Sequence, residues 1–284
     1  MEVGIFCAFS ELTSPEVMRA QLRAIEERGF HAVWVPEHVV LFDAYDSRYP
    51  YAEDGRLPGF RDGMLDPFSA LTFAAANTQK VRLGTSICLV PQRNPVYTAK
   101  QIADVDYLSG GRVNFGVGIG WLREEFEALQ VPWPRRAQRA RDYIGVMKAL
   151  WCNEVASYEG ELYRLSACRQ SPKPVQSPHP PIFFGGEGDP ALRRVAELGQ
   201  GWLGAKVLPE AVPERLRRLD ELLAEAGRSR ADIKIYIMPN RAPQPDFFPR
   251  YEDAGVDQII HMVGGRDLDG YLSRLDRLAK MAFR

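Results

Sequence analysis

The sequence predicts an α/β protein whose parallel strands and helices close into a (β/α)8 barrel. Short apolar segments alternate with helical segments from one end of the chain to the other, in about eight units. Strands this apolar are buried on both faces, as in parallel sheets covered by helices. A length of 284 residues suits one such barrel. An open doubly wound sheet is the alternative, because it shows the same alternation.

Each predicted strand is a short run of apolar residues. The strands are expected at 3–9, 32–36, 81–89, 112–117, 182–184, 202–205, 233–238 and 258–262. Each predicted helix has apolar residues at helical spacing. The helices are expected at 14–28, 66–78, 96–108, 123–129, 136–151, 190–198, 210–226, 248–254 and 268–281. In the first helix, Ser14 or Thr13 fits the N-cap, Pro15 the first turn and Gly29 the end.

We expect residues 1–284 to form a single barrel domain with two departures from the repeat. A long loop at about 42–65 carries Tyr45, Tyr49, Tyr51 and Phe60, and it is predicted to act as a lid or pocket wall. A proline-rich stretch at about 155–181 is expected to be irregular.

Composition indicates a cytoplasmic enzyme that acts on a small molecule. The formal net charge is −1, which gives no support for nucleic acid or a membrane surface as partner. The four cysteines form no CxxC pair, and a reducing compartment is expected. The N-terminus lacks the pattern of a secretory signal, and no run of 18 apolar residues occurs. Neither HExxH nor GxSxG is present, and no metal site is expected.

The loops that follow the strands hold the candidate site, because active sites of such barrels lie there. Glu37 and His38 follow the second strand. An imidazole exchanges protons near neutral pH, so His38 suits a redox site, although a structural histidine is the alternative. Thr85 and Ser86 end the third strand, where small residues allow backbone to approach a flat ligand or satisfy local backbone groups.

Two glycine-rich segments follow later strands. Gly116, Gly118 and Gly120 lack the full dinucleotide fingerprint, and they indicate either a close ligand or a tight turn. Gly185 and Gly186 stand before a helix, in the sequence GGEGDP. Amides at a helix N-terminus attract phosphate, with a plain turn capped by an aspartate as the alternative. We expect Arg93 and Lys206, from other loops, to assist as phosphate partners.

These segments resemble the bacterial luciferase-like family, and most closely its coenzyme F420-dependent branch. The resemblance rests on FHAVWVPEHV at 30–39, on residues 81–121 ending in GVGIGW, and on PIFFGGEGDPALRRVAELGQGWL at 181–203. It implies a (β/α)8 barrel with Glu37 and His38 beside an isoalloxazine-like ring. It also implies a cis peptide at Ser86-Ile87 forming a bulge behind the ring, with Gly118 nearby, and the coenzyme's phosphate at Gly185 and Gly186.

The chain departs from the sugar-phosphate dehydrogenases that it is similar to. Trp121 stands where those enzymes carry a glutamate proton donor, and Phe42 where they carry a tryptophan. An apolar or aromatic substrate therefore fits better, in a pocket formed by Phe42, Trp121 and Tyr49. Glu124 and Glu125 follow Trp121 and are expected at a solvated helix start.

Three functions stay open on the sequence. The first is hydride transfer between coenzyme F420 and an organic substrate, with His38 assisting proton transfer. The second is an FMN-dependent monooxygenase that uses reduced flavin and oxygen. The third is a non-catalytic flavin-binding protein, because a fold does not fix a function. The resemblance also implies a homodimer.

Overall fold

The computed structural model describes residues 1–57, 63–239, 241–265 and 267–283. Its strands, in chain order, are β1 (Glu2–Phe6), β2 (Ala32–Val35), β3 (Arg82–Thr85), β4 (Cys88–Leu89), β5 (Val113–Gly118), β6 (Ala156–Glu159), β7 (Arg164–Cys168), β8 (Ile182–Gly185), β9 (Gly201–Ala205), β10 (Lys234–Met238) and β11 (Gln258–Met262). Its helices are α1 (Pro15–Glu27), α2 (Pro67–Asn77), α3 (Pro95–Ser109), α4 (Arg123–Ala128), α5 (Arg136–Cys152), α6 (Asp189–Leu198), α7 (Val212–Glu225), α8 (Phe247–Asp253) and α9 (Leu268–Ala282).

Eight of the described strands pair in parallel and close into a barrel. Around the barrel the order is β1, β2, β3, β5, β8, β9, β10 and β11, and β11 pairs again with β1. The short strand β4 continues the line of β3 and pairs with β5. The predicted (β/α)8 barrel is therefore confirmed, and the open sheet is wrong.

Apolar side chains fill the barrel on both sides of its wall. Alternate strand residues point outward and pack beneath the helices. Leu22 and Ile25 of α1 belong to the helix side of this core. Inside the barrel, Trp34 packs edge-on against Phe183, and its indole nitrogen donates to Gln258. These rings pack inside the barrel together with Tyr236 and Ile260.

Several local predictions need correction. The expected strand at 81–89 is two strands, β3 and β4, with Ser86 and Ile87 between them; the peptide bond that joins these two residues is cis, as the resemblance implies. The stretch 155–181 is not wholly irregular, since β6 and β7 pair there as an antiparallel hairpin. Asp189 is the first residue of α6 and does not cap it; the N-cap is Gly188. In α1, Ser14 caps the helix as expected.

Two features are absent from the described ranges. No helix in them has both the length and the apolar character needed to cross a bilayer. Within the same ranges, no three His, Cys, Asp or Glu side chains converge as metal ligands would. Phe60 and the neighbouring part of the predicted loop at 42–65 lie outside the described residues.

Candidate functional site

A cavity of about 420 Å³ opens at the C-terminal ends of the strands. Its wall is formed by the segments that follow β2, β3, β5 and β8 and by the last residues of β9 and β10. Apolar side chains such as Phe6, Leu203 and Met238 form much of the lining, and a few polar groups interrupt it. The volume and the mixed lining are typical of sites for small organic ligands.

His38 lines this cavity, and a buried carboxylate orients its ring. Nδ1 of His38 lies 3.0 Å from Oε2 of Glu125, which is completely buried in the first turn of α4. Burial alone would raise the pKa of Glu125, but the hydrogen bond and charge of His38 and a bond from Gln92 hold it below its ordinary value. The carboxylate is thus an acceptor only, so Nδ1 carries a hydrogen and Nε2 is left for a ligand.

Glu37 also borders the cavity, but its carboxylate is engaged elsewhere. One oxygen accepts from the backbone amide of Leu89 at 2.5 Å, and the other accepts from the guanidinium of Arg93. Arg93 also binds Asp66 at 2.6 Å. Glu37 is only 4% exposed, so this ion pair fastens the segment after β2 to the segment after β4. Its contacts fit a structural group better than one that exchanges protons with a ligand.

The cis peptide places Ile87 inside the barrel. A Cβ added at Gly118 would lie 2.0 Å from Cδ1 of Ile87, so the glycine makes room for that side chain. Both residues and Ser86 line the cavity. Thr85 is not among the described lining residues; its hydroxyl donates to the carbonyl of Gly116 at 2.6 Å and is buried. A flat ring can therefore lie against backbone and Ile87, whereas Thr85 holds two strands together.

An aromatic wall lies opposite, formed by the segment after β2 and the segment after β5. The ring of Trp121 contacts the rings of His38, Tyr45 and Tyr49, with centroids 5.7, 5.7 and 5.1 Å away. Trp121 and Tyr49 line the cavity, as the sequence predicts for the substrate pocket. Phe42, which the sequence also predicts for this pocket, is half-buried and is not among the described residues of the lining.

Glu187 closes the far end of this wall. It accepts a hydrogen bond from the hydroxyl of Tyr51 at 3.1 Å and another from the amide of Ala205 at 2.7 Å. Burial raises the pKa of Glu187 above its ordinary value, although these hydrogen bonds oppose the rise. Burial and the charge of Glu187 raise the pKa of Tyr51 as well. Glu187 thus faces the cavity as a carboxyl group that keeps its proton to a higher pH than an exposed glutamate does.

The segment after β2 is fixed by the first turn of α4. Oε1 of Glu125 accepts from the amide of Val39 at 2.6 Å, and Oε1 of Glu124 accepts from the amides of Asp46 and Ser47 at 2.7 and 3.1 Å. Hydrogen bonds from Ser47 and Asp46 outweigh the effect of burial and lower the pKa of Glu124 to about 2. The prediction of a solvated helix start is therefore wrong, because both carboxylates bind this segment.

The predicted phosphate position lies at the edge of the cavity. Gly185 and Gly186 line it, as does Arg194 of α6, which the sequence reasoning missed. Arg93 and Lys206 are not among the described lining residues. Arg93 is held by Glu37 and Asp66, and Lys206 is exposed and follows β9 in a left-handed conformation, φ +56°. Among the described residues, neither side chain is bonded to Gly186.

The remaining histidine at a strand end does not belong to the site. His261 is buried with its ring 5.8 Å from that of Phe248, and burial lowers its pKa to about 4. The residues that sequence reasoning missed are Glu125, Glu187 and Arg194. All three lie within eight residues of Gly120 or Gly186, in strand-following glycine segments that the sequence does single out.

Fold and site together define a (β/α)8 barrel with a small-molecule site at the C-terminal ends of its strands. The model of the luciferase-like monooxygenase family matches residues 1–244. The chain therefore belongs to the luciferase-like monooxygenase family, within a superfamily of oxidoreductases.

Three similar proteins illustrate this family. An uncharacterized protein of Mycobacterium tuberculosis is 34% identical over 264 residues, which cover 92% of each chain. The FMNH2-dependent dimethylsulfone monooxygenase of Pseudomonas putida is 32% identical over 165 residues, 57% of this chain and 44% of that protein. The structure of the coenzyme F420 dependent tetrahydromethanopterin reductase of Methanopyrus kandleri superposes with a TM-score of 0.78 at 18% identity, covering 99% of this chain and 98% of that one.

Proposed function

We propose that this protein is a coenzyme F420-dependent oxidoreductase that acts on a small apolar or aromatic substrate. The observation that carries the proposal is the histidine of the cavity wall, whose Nδ1 is bonded to a buried carboxylate and whose Nε2 is free for a ligand. The deazaflavin ring, when bound, supplies the hydride donor or acceptor. The slot formed by Ser86, Ile87 and Gly118 suits a flat ring, and the glycines at 185 and 186 suit a phosphate.

His38 moves the proton that accompanies the hydride. In the oxidation direction the substrate oxygen releases its proton to Nε2 while its carbon gives up the hydride. In the reduction direction Nε2–H returns the proton to that oxygen. Trp121 and Tyr49 exclude water and pack against the apolar part of the substrate. Glu37 supports this arrangement through Arg93 and takes no part in the proton transfer.

An FMN-dependent monooxygenase is the second candidate, and the similarity to a dimethylsulfone monooxygenase that uses FMNH2 favours it. The cavity alone does not discriminate between the two ring systems. A deazaflavin reacts poorly with oxygen, so the two functions differ in oxygen consumption.

Titration of the protein with coenzyme F420 and with FMN, followed by fluorescence, tests the proposal. We expect tighter binding of coenzyme F420 and, with a panel of alcohols and ketones, turnover that His38→Asn abolishes without weakening cofactor binding. His179→Asn, at a half-buried histidine in the segment before β8, is the matched control. Tighter FMN binding with rapid oxygen uptake would favour the monooxygenase. Binding without any turnover would favour a non-catalytic flavin-binding protein.

A further inference from the structure

Arg194 is a cationic side chain at the cavity wall without a partner. It belongs to α6, lines the cavity beside Gly188 and Ala191, and is half-buried. In the part of the chain that the structure describes, its guanidinium makes neither a hydrogen bond nor an ion pair. The preceding residue, Arg193, points outward and pairs with Glu225 at 2.9 Å. Of these two neighbouring arginines, only the one that faces the cavity thus lacks a partner among the described residues.

A second guanidinium, which has few favourable contacts, lies near that of Arg194. Arg136, in the first turn of α5, lies over the ring of Trp133 at 3.8 Å and donates only a long bond of 3.4 Å to the carbonyl of Gly120. Gly120 itself lines the cavity. Among the described residues, no carboxylate lies within ion-pair distance of Arg136. Its neighbour Arg135, by contrast, is paired with Glu161.

The two guanidinium groups repel each other in a partly desolvated place. Burial, and then the charges of Arg141 and Arg136, lower the pKa of Arg194. Arg141 is itself bonded to Glu197, so the charge of Arg136 is the one left uncompensated. Desolvated cations with no counter-charge cost free energy unless a ligand supplies one. Glu197, three residues further along α6, is the carboxylate whose charge opposes this decrease, but it is paired with Arg141. Glu187 also lines the cavity, but its oxygens are bonded to Tyr51 and Ala205.

We propose that Arg194, with Arg136 beside it, binds an oxyanion of the ligand in this cavity, a phosphate or a carboxylate. A guanidinium presents paired donors that match such a group and retain their charge at all physiological pH values. The subsite rests on the proposed function only in its choice of cofactor probes. The anion comes from the acidic chain of the cofactor or from the substrate. In either case Arg194 takes the role that was expected of Arg93 and Lys206.

Calorimetric titration of wild type, Arg194→Gln and Arg193→Gln tests the subsite. The probes are two pairs with and without an acidic chain, FMN against riboflavin and coenzyme F420 against its deazaflavin core, together with inorganic phosphate. Loss of one charge-assisted contact weakens binding by about tenfold or more. We expect Arg194→Gln to lose about that factor for the acidic probes alone, and Arg193→Gln to match wild type.

The same titrations also identify which molecule, cofactor or substrate, supplies the anion. If Arg194→Gln weakens FMN or coenzyme F420 but not their neutral counterparts, the subsite binds the cofactor. If it instead abolishes binding of inorganic phosphate to the cofactor-saturated protein, the subsite binds the substrate. Equal affinities of wild type and Arg194→Gln for every anionic probe would overturn the inference. If wild type binds neither cofactor, the proposed function fails, and the inorganic phosphate titration alone decides on the subsite.

The stability of Arg194→Gln provides an independent check. The substitution removes a repulsion and breaks no hydrogen bond or ion pair within the described ranges, so the thermal midpoint should equal or exceed that of wild type. A midpoint several degrees lower would show that Arg194 supports the fold, and it would contradict the assignment to a ligand.

Discussion

Glu125 and His38 are 87 residues apart in the chain, and their side chains meet at 3.0 Å beside the cavity. The same carboxylate accepts hydrogen bonds from the amide of Val39 and from Gln92. With the amide of Val40 at 3.4 Å, four donors therefore converge on one buried acid from the segment after β2 and the turn after β4. This arrangement fixes the position of the imidazole and the nitrogen that carries its hydrogen, as a carboxylate does for histidine in many active sites.

Glu125→Gln should disturb both the histidine and the fold. The amide keeps the shape of the side chain but offers one acceptor where two oxygens now accept, so a buried donor loses its partner. We expect the free energy of unfolding to fall by about 2 kcal/mol in urea titrations. Nitrogen NMR should show a larger Nε2–H population for His38. Glu127→Gln, an exposed residue of the same helix, should leave both unchanged. A wild-type imidazole spectrum in Glu125→Gln would refute the orienting role.

Arg93→Gln should reduce stability without altering phosphate recognition. The substitution leaves Glu37 buried without its counter-charge, which costs about 3 kcal/mol in free energy of unfolding. The ratio of FMN to riboflavin affinity should stay at the wild-type value, because Arg93 does not line the cavity. Arg123→Gln breaks an exposed pair with Glu127 and should cost at most about 1 kcal/mol. A changed affinity ratio in Arg93→Gln would return this residue to the phosphate site.

Alanine substitutions at two neighbouring glycines should separate stability from binding. At Gly116 the new Cβ would lie 1.9 Å from the carbonyl oxygen of Thr85, which cannot move without shifting a strand. We expect Gly116→Ala to cost about 3 kcal/mol or more. At Gly118 the new Cβ would meet only the end of Ile87, so Gly118→Ala should cost about 1 kcal/mol.

The displaced Ile87 side chain in Gly118→Ala would project further into the cavity. Cofactor affinity in fluorescence titrations should therefore fall in this variant although it folds. A loss of stability in Gly118→Ala equal to that in Gly116→Ala would show that the Ile87 side chain cannot move aside. Full cofactor affinity in Gly118→Ala would show that Ile87 does not border the ligand.

Glu187→Gln should reduce the loss of stability that accompanies a rise in pH. The pKa of Glu187 is raised in the folded protein, so its favourable contribution is complete below the ordinary carboxyl pKa of 4.5 and is lost as pH rises through the folded value. Glutamine cannot ionise, so the variant should gain on wild type as pH rises from about 4 to about 8. Urea titrations across that range measure the difference. Glu214→Gln, at an exposed site of α7, gives the baseline. A constant difference would mean that Glu187 ionises normally.

The barrel could be predicted because parallel strands that are buried on both faces appear in the sequence as short runs rich in apolar residues. No comparable pattern indicates the Ser86-Ile87 cis bond: residues 81–89 mix apolar residues with Arg82, Thr85 and Ser86, and only the family resemblance indicated it. Pairing of β6 with β7 was missed because both strands are short and largely exposed. The homodimer stays a prediction, which sedimentation analysis would test.

The site was only partly predictable, because its decisive contacts are long-range. His38, Trp121 and Gly185 follow strands directly, so the topology alone brings them to one cavity. Glu125 lies in a helix of six residues, too short for periodicity to reveal its buried face. Arg93 follows a strand too, but the 3₁₀ turn Val90–Gln92 directs it toward Glu37, and no local pattern shows this.

Adjacent residues in the first turn of α4 bind two parts of one loop. Glu125 binds the start of the segment after β2 together with the histidine, and Glu124 binds the same segment seven to eight residues further on. The first turn of α4 therefore holds both the imidazole of His38 and the part of this segment at residues 46–47. If His38 transfers the proton as proposed, a displacement of this segment would also disturb the position of the imidazole, so access to the cavity and the geometry of the histidine would change together.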